Sequence, residues 1–111
     1  VAKPNKYKPM KLFIVTALKE YSDQATAIFK KAGILVFSAT DIIGFTNNTN
    51  HNLLDDWFST GDARFDSILL FSFTGEENAE LAMELIQDYN QQQGGDFPLR
   101  AFILPVDKFS H

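Results

Sequence analysis

The sequence predicts an α+β fold of the ferredoxin-like, split βαβ kind, in which two helices cover one face of an antiparallel four-stranded sheet. Three observations lead there. Short apolar, β-branched runs alternate with stretches whose apolar residues recur at helical spacing. The chain divides into two halves of the same order (strand, helix, strand), giving βαββαβ overall. Between the halves sits a long insertion, residues 46–64, that fits neither period. A mixed α/β sheet with another strand order is the structural alternative.

KLFIVTAL (11–18) reads as strand 1. Ser22 is placed to cap the following helix, whose apolar stripe is Ala25, Ile28, Phe29 and Ala32. Gly33 suits the left-handed residue that ends a helix, and strand 2 then covers 35–43. DSILLFSF (66–73) is strand 3. Thr74 and Glu77 make a T-x-x-E capping box before the second helix, with Ala79, Ala82, Met83, Ile86 and Tyr89 as its buried stripe. That helix stops at QQQGG, where two glycines make continuation costly. RAFILPV (100–106) is the last strand, and its Pro105 marks an edge or an exit from the sheet.

At 111 residues and 45% hydrophobic, the chain is long and apolar enough for one domain with a core, assigned to 10–111. Met10 reads as a natural start, with 1–9 (VAKPNKYKP) a leader or an upstream extension. There is no cysteine, so disulfides, thiolate catalysis and zinc–thiolate sites are excluded. The formal charge is −4, and three of the ten basic residues fall in the leader; from Met10 onward seven face fourteen acidic ones, a net of −7. No basic stripe is left to neutralise phosphates, which argues against a nucleic-acid partner. No apolar segment approaches the ~18 residues of a membrane span, and no signal peptide is recognisable. The expected location is the cytoplasm.

Two helices cover only one sheet face, yet the strands are apolar at nearly every position. In ILVFSATDII, Leu35, Phe37 and Ala39 point one way and Val36, Ser38 and Thr40 the other. Burial on both sides is the simplest account, and a domain this small has no second layer to offer. Homo-oligomerisation is therefore expected. The periodicity does not separate dimer from trimer.

In three places the residues resemble the PII superfamily of trimeric signalling proteins. KLFIVTALKEY sits where that family begins; KKAGILVFSATDIIGF is similar to its helix, strand and Gly-Phe at the base of the regulatory T-loop; RAFILPVDKF is similar to the strand after its nucleotide-cradling B-loop. Together these span nearly all of 10–109. The resemblance implies a homotrimer with an effector between subunits and a T-loop-like insertion at 46–64 that engages a partner protein. A membrane transporter or its regulator is the partner it suggests. The effector candidates it gives are Thr40, Gly44 and Phe45 at the loop base, and Gly94, Gly95, Asp96 and Arg100 around the B-loop. QQQGGDFPLRAF departs from the family at Phe97 and Pro98, where Gly-Lys is usual. Pro98 has no N–H to donate and Phe97 no charge, so ATP binding of the usual kind is expected to be lost or weakened. No cofactor is assigned.

The insertion has two parts. TNNTNHN favours turns, whereas in LLDDWFSTGD the residues Leu53, Leu54, Trp57 and Phe58 recur at helical spacing. They read either as a short helix packed on its own oligomer or as a recognition element, since Trp and Phe are frequent interface anchors. His51, Asp55 and Asp56 offer an imidazole and two carboxylates at i, i+4 and i+5, suitable for a divalent ion. A resemblance to a related ferredoxin-like trimer family implies the alternative function, a divalent-metal-binding tolerance protein. Catalysis is not expected: there is no G-x-S-x-G elbow, and Glu76, Glu77, Glu80 and Glu84 follow a solvated helix face.

Overall fold

In the computed structural model, residues 9–46, 63–95 and 97–110 are described. β1 (Met10–Leu18) leads through a 3-10 turn, Lys19–Tyr21, into α1 (Ser22–Lys31). β2 (Ser38–Thr46) and β3 (Ala63–Gly75) follow, then α2 (Glu76–Gln93) and β4 (Arg100–Pro105). All strand pairs are antiparallel, in the order β2-β3-β1-β4, so β1 and β3 are central and β2 and β4 are edges. The fold is the split βαβ sandwich, and the alternative strand order is excluded.

Strand alternation sends Phe13, Val15 and Ala17 of β1 and Leu70 of β3 to the helix side. There they meet Ala25, Ile28 and Phe29 of α1 and Ala79, Ala82 and Ile86 of α2 in one core. Phe29 is the centre of an aromatic run, 5.4 Å from Phe13 and 4.9 Å from Phe37 between ring centroids, both tilted. The other sheet face carries the opposite set. Leu12 lies between Phe73 and Leu104, and Ile14 between Phe71 and Phe102. Phe73 is 58%, Phe102 48% and Leu104 41% exposed in the single chain, so this face is apolar and uncovered by its own helices.

Gly33 ends α1 as expected, at φ +85. Its N–H reaches the Lys30 carbonyl (3.0 Å) and that of Ile34 the Phe29 carbonyl (2.9 Å), the paired closure of a Schellman turn with Ile34 driven into the core. Both expected N-terminal caps are corrected. Ser22 is already inside α1, because the 3-10 turn starts the helical winding earlier, and the N-cap is Tyr21 without a side-chain bond. Thr74 belongs to β3, paired with Lys11, so the capping box does not form and Gly75 is the cap.

Strand 2 also shifts. Residues 34–37 form no strand, and Leu35 and Val36 are 76% and 84% exposed rather than buried on two faces. The physical reason is the Val36 carbonyl, which accepts a 2.7 Å bond from the buried Ser72 hydroxyl in place of a ladder partner. The ladder begins at Ser38 and runs on through Gly44 and Phe45 to Thr46, opposite Ala63. Strand 3 likewise extends beyond 66–73 in both directions. The insertion set at 46–64 thus narrows to 47–62, which lies outside the described residues.

Candidate functional site

The pairing of β1 with β3 ends at Leu18 opposite Ser67, but β2 and β3 go on for four more pairs, from Ile43–Asp66 to Thr46–Ala63. The result is a two-stranded ribbon projecting past the sheet and leading to residues 47–62. Beside it runs the return from α2 to β4. The Phe65 ring on the ribbon meets the Phe97 ring on the return, 6.3 Å between centroids and tilted by 48°.

Between ribbon, return and the end of β1 lies a cleft of about 220 Å³. Thr16, Ala17 and Leu18 supply one wall, Ile42, Gly44 and Ser67 the ribbon side, and Phe97, Pro98 and Arg100 the return. Thr16 pairs with Arg100 and Ile42 with Ser67, which aligns these positions on the face without helices. The lining is mostly apolar, with the Thr16 and Ser67 hydroxyls and the Arg100 guanidinium as polar points. Burial pushes the Arg100 pKa down from its ordinary value, yet a guanidinium stays charged in water at neutral pH. A concave apolar site with a few convergent polar groups is the usual form of a small-molecule site.

Gly44 contributes by lacking a side chain. Its backbone is not left-handed, and an added Cβ would stand 3.7 Å from Ser67 Oγ and 3.8 Å from the Phe65 carbonyl oxygen, ordinary contacts. The glycine keeps space open; the strand does not require it.

Of the residues singled out from sequence, the structure brings Gly44 and Arg100 together in this cleft. Thr40 is exposed on the β2 edge, its hydroxyl 3.4 Å from the Asp41 carbonyl oxygen, and is not in the lining. Phe45 alternates to the opposite side from Gly44; it is 71% exposed, with the Arg64 guanidinium 5.9 Å from its ring centroid. Gly94 closes α2 at φ +57 and Gly95 follows it, both exposed and with nothing near enough to touch a Cβ. They are turn residues outside the lining. Asp96 lies outside the described residues, as do Leu53, Leu54, Trp57, Phe58, His51, Asp55 and Asp56. Among the described residues no group of three His, Cys, Asp or Glu could hold a metal ion. Sequence reasoning missed Thr16, Ile42 and Ser67. The hydroxyls of Thr16 and Ser67 in otherwise apolar strands were the available signal.

No family model matches the sequence, and no curated protein matches it. Solved structures do. TTHA0516 of Thermus thermophilus, assigned as a PII-like signalling protein, superposes with a TM-score of 0.62 at 18% identity, covering 89% of this chain and 88% of that one. GlnK of B. subtilis gives 0.64 at 9% identity over 89% and 86%. The chain has the PII-like fold. The nitrogen regulatory PII-like protein CPII of Thiomonas intermedia K12, bound to ADP, AMP and bicarbonate, shares it with a TM-score of 0.57 at 14% identity over 92% and 97%. The fold expected from the three resembling stretches is met. These PII-like neighbours are regulatory or signalling proteins, and none of them points to an enzyme. Among the described residues no helix is long and apolar enough to cross a membrane.

Proposed function

We propose that this protein is a PII-like regulator that binds a small effector in the cleft and signals through residues 46–64 to a partner protein. The observation that carries the reading is the position of the cleft. Gly44 of the ribbon that leads to the insertion, with Ile42 and Ser67 in the pair at the ribbon's base, also forms one wall of the cleft. A ligand seated there touches the stem of the recognition segment directly.

The uncovered face of Leu12, Ile14, Phe71, Phe73, Phe102 and Leu104 supports assembly, and the family resemblance makes the assembly a homotrimer. A soluble monomer rarely leaves a contiguous apolar face of this kind in water. Light scattering should give three times the chain mass; a stable monomer at micromolar concentration would remove this part of the reading.

The lining favours a ligand of low charge. Arg100 is the charged side chain among the described lining residues, and Pro98 donates no N–H, so a triphosphate finds few partners. Calorimetric titration with ATP, ADP, AMP and bicarbonate tests the effector reading. ATP is expected to bind more weakly than the smaller ligands, and tight ATP binding would contradict that ranking. Adding zinc, copper and nickel to the panel tests the metal-tolerance alternative through His51, Asp55 and Asp56.

For the partner, Trp57 is the proposed apolar anchor, with Phe58 beside it and Leu53 and Leu54 in support. Trp57→Ala should leave oligomer and melting temperature nearly unchanged while abolishing partner capture. A packed core helix would instead lose stability on losing a large aromatic. Trp57 is the sole tryptophan, so its emission reports on it alone. Blue-shifted, quencher-protected emission would count against the anchor.

A further inference from the structure

The return between α2 and β4 is held by one side chain. Asn90, in the last turn of α2, donates from Nδ2 to the Leu99 carbonyl oxygen at 2.8 Å and accepts at Oδ1 from the Leu99 N–H at 2.9 Å. Its own carbonyl accepts from the Gly94 N–H at 3.1 Å and so closes the helix. One residue thus anchors both ends of the segment from Gly94 to Leu99. The two-way bond matches what a neighbouring strand would offer, and it reaches Leu99 one residue before the β4 ladder begins.

Leu99 is buried in the core at 2% exposure, while Pro98 and Arg100 on either side of it line the cleft. In an extended chain, alternate residues point to opposite faces. Clamping Leu99 into the core therefore turns its two neighbours toward the cleft. It also places Phe97 against Phe65 on the ribbon.

We propose that Asn90 is a positioning residue for ligand binding: its amide clamps Leu99 from both sides and so sets the Phe97–Arg100 wall of the cleft. Asn90 does not touch the ligand, and the inference rests on the effector reading of the cleft given above.

The test uses Asn90→Asp and Asn90→Ala in the full chain. At neutral pH an aspartate keeps the acceptor for the Leu99 N–H but sets a second acceptor against the Leu99 carbonyl oxygen. Protonating it restores one donor and one acceptor in nearly the amide's shape. The first readout needs no ligand: the proton–proton cross-relaxation between the Phe65 and Phe97 rings. It is expected in the wild type at all pH values, lost in Asn90→Ala, and in Asn90→Asp lost at neutral pH and regained as pH falls through the carboxyl's titration. A merely structural clamp would show this return of ring contact with no matching return of ligand affinity, so affinity relative to wild type is read at the same pH values. The second readout is affinity for AMP, ADP and bicarbonate, expected to fall at least about tenfold in both variants at neutral pH. Ring contact and affinity both unchanged in Asn90→Asp would overturn the proposal. Wild type that binds none of the three probes would sink the effector reading and, with it, the ligand role of Asn90; loss of ring contact alone would then show only a structural clamp.

Discussion

Phe29 illustrates how much one side chain carries here. It is fully buried and touches aromatic rings from both β1 and the link before β2. Phe29→Ala should cost about 3–5 kcal/mol in denaturant unfolding, since a domain this small cannot refill the space. The glycines divide by mechanism. Gly33 sits at φ +85, where a Cβ is strained, so Gly33→Ala should destabilise by about 1–2 kcal/mol although the added Cβ would meet only an ordinary contact, 3.7 Å from Asn78 Oδ1. Gly44→Ala should leave the melting temperature unchanged, because its backbone is ordinary, and should weaken ligand uptake by narrowing the cleft. A stability loss at Gly44 comparable to that at Gly33 would contradict this division. Lys19 lies 3.0 Å from Asp41, and its pKa is raised by that hydrogen bond first and by the carboxylate's charge second. A raised folded-state value means that the pair's contribution is complete below about 10.5 and fades as pH climbs past the folded pKa. Both side chains are more than half exposed, so Lys19→Met should melt within error of wild type near neutral pH.

The ribbon of β2 and β3 extends the sheet as a two-stranded stem. Its last described pair, Thr46 opposite Ala63, has the geometry that a two-residue hairpin turn can close. Replacing 47–62 with Asn-Gly should therefore give a folded protein with an intact cleft but no partner capture. If that variant fails to fold while wild type folds, the insertion belongs to the core and the recognition reading falls. The helices were readable because their stripes had to face something: Ala25, Ile28 and Phe29, and Ala79, Ala82 and Ile86, are buried as the spacing demands. Their N-termini were not. Ser22 and Thr74 are typical cap residues, but the neighbouring 3-10 turn and the reach of β3 decide where each helix starts. Pro105 was legible as well: it ends β4, an edge strand, where a missing N–H costs least.

The single chain has one sheet face that its own helices leave open. Phe73→Glu places a charge at a position 58% exposed in the single chain, so the monomer should keep its fold while the oligomer disperses. Scattering mass and circular dichroism together check this. An unchanged mass with an intact fold would show that the Phe73 face is not the subunit contact.

Periodicity, composition and the Gly-Phe and Gly-Gly landmarks made the βαββαβ order, the helix stripes, the Gly33 turn and the open apolar face readable from the chain alone, because these depend on neighbours within a few residues. The cleft did not follow from them. Thr16, Ile42, Ser67 and Arg100 come from four strands, and their meeting depends on the register of three antiparallel pairings. Asn90 gave no signal at all, being an ordinary polar residue near a helix end until Leu99 folds back against it. Local sequence sets which residues need burial; the long-range pairing of strands sets which of the others stand together.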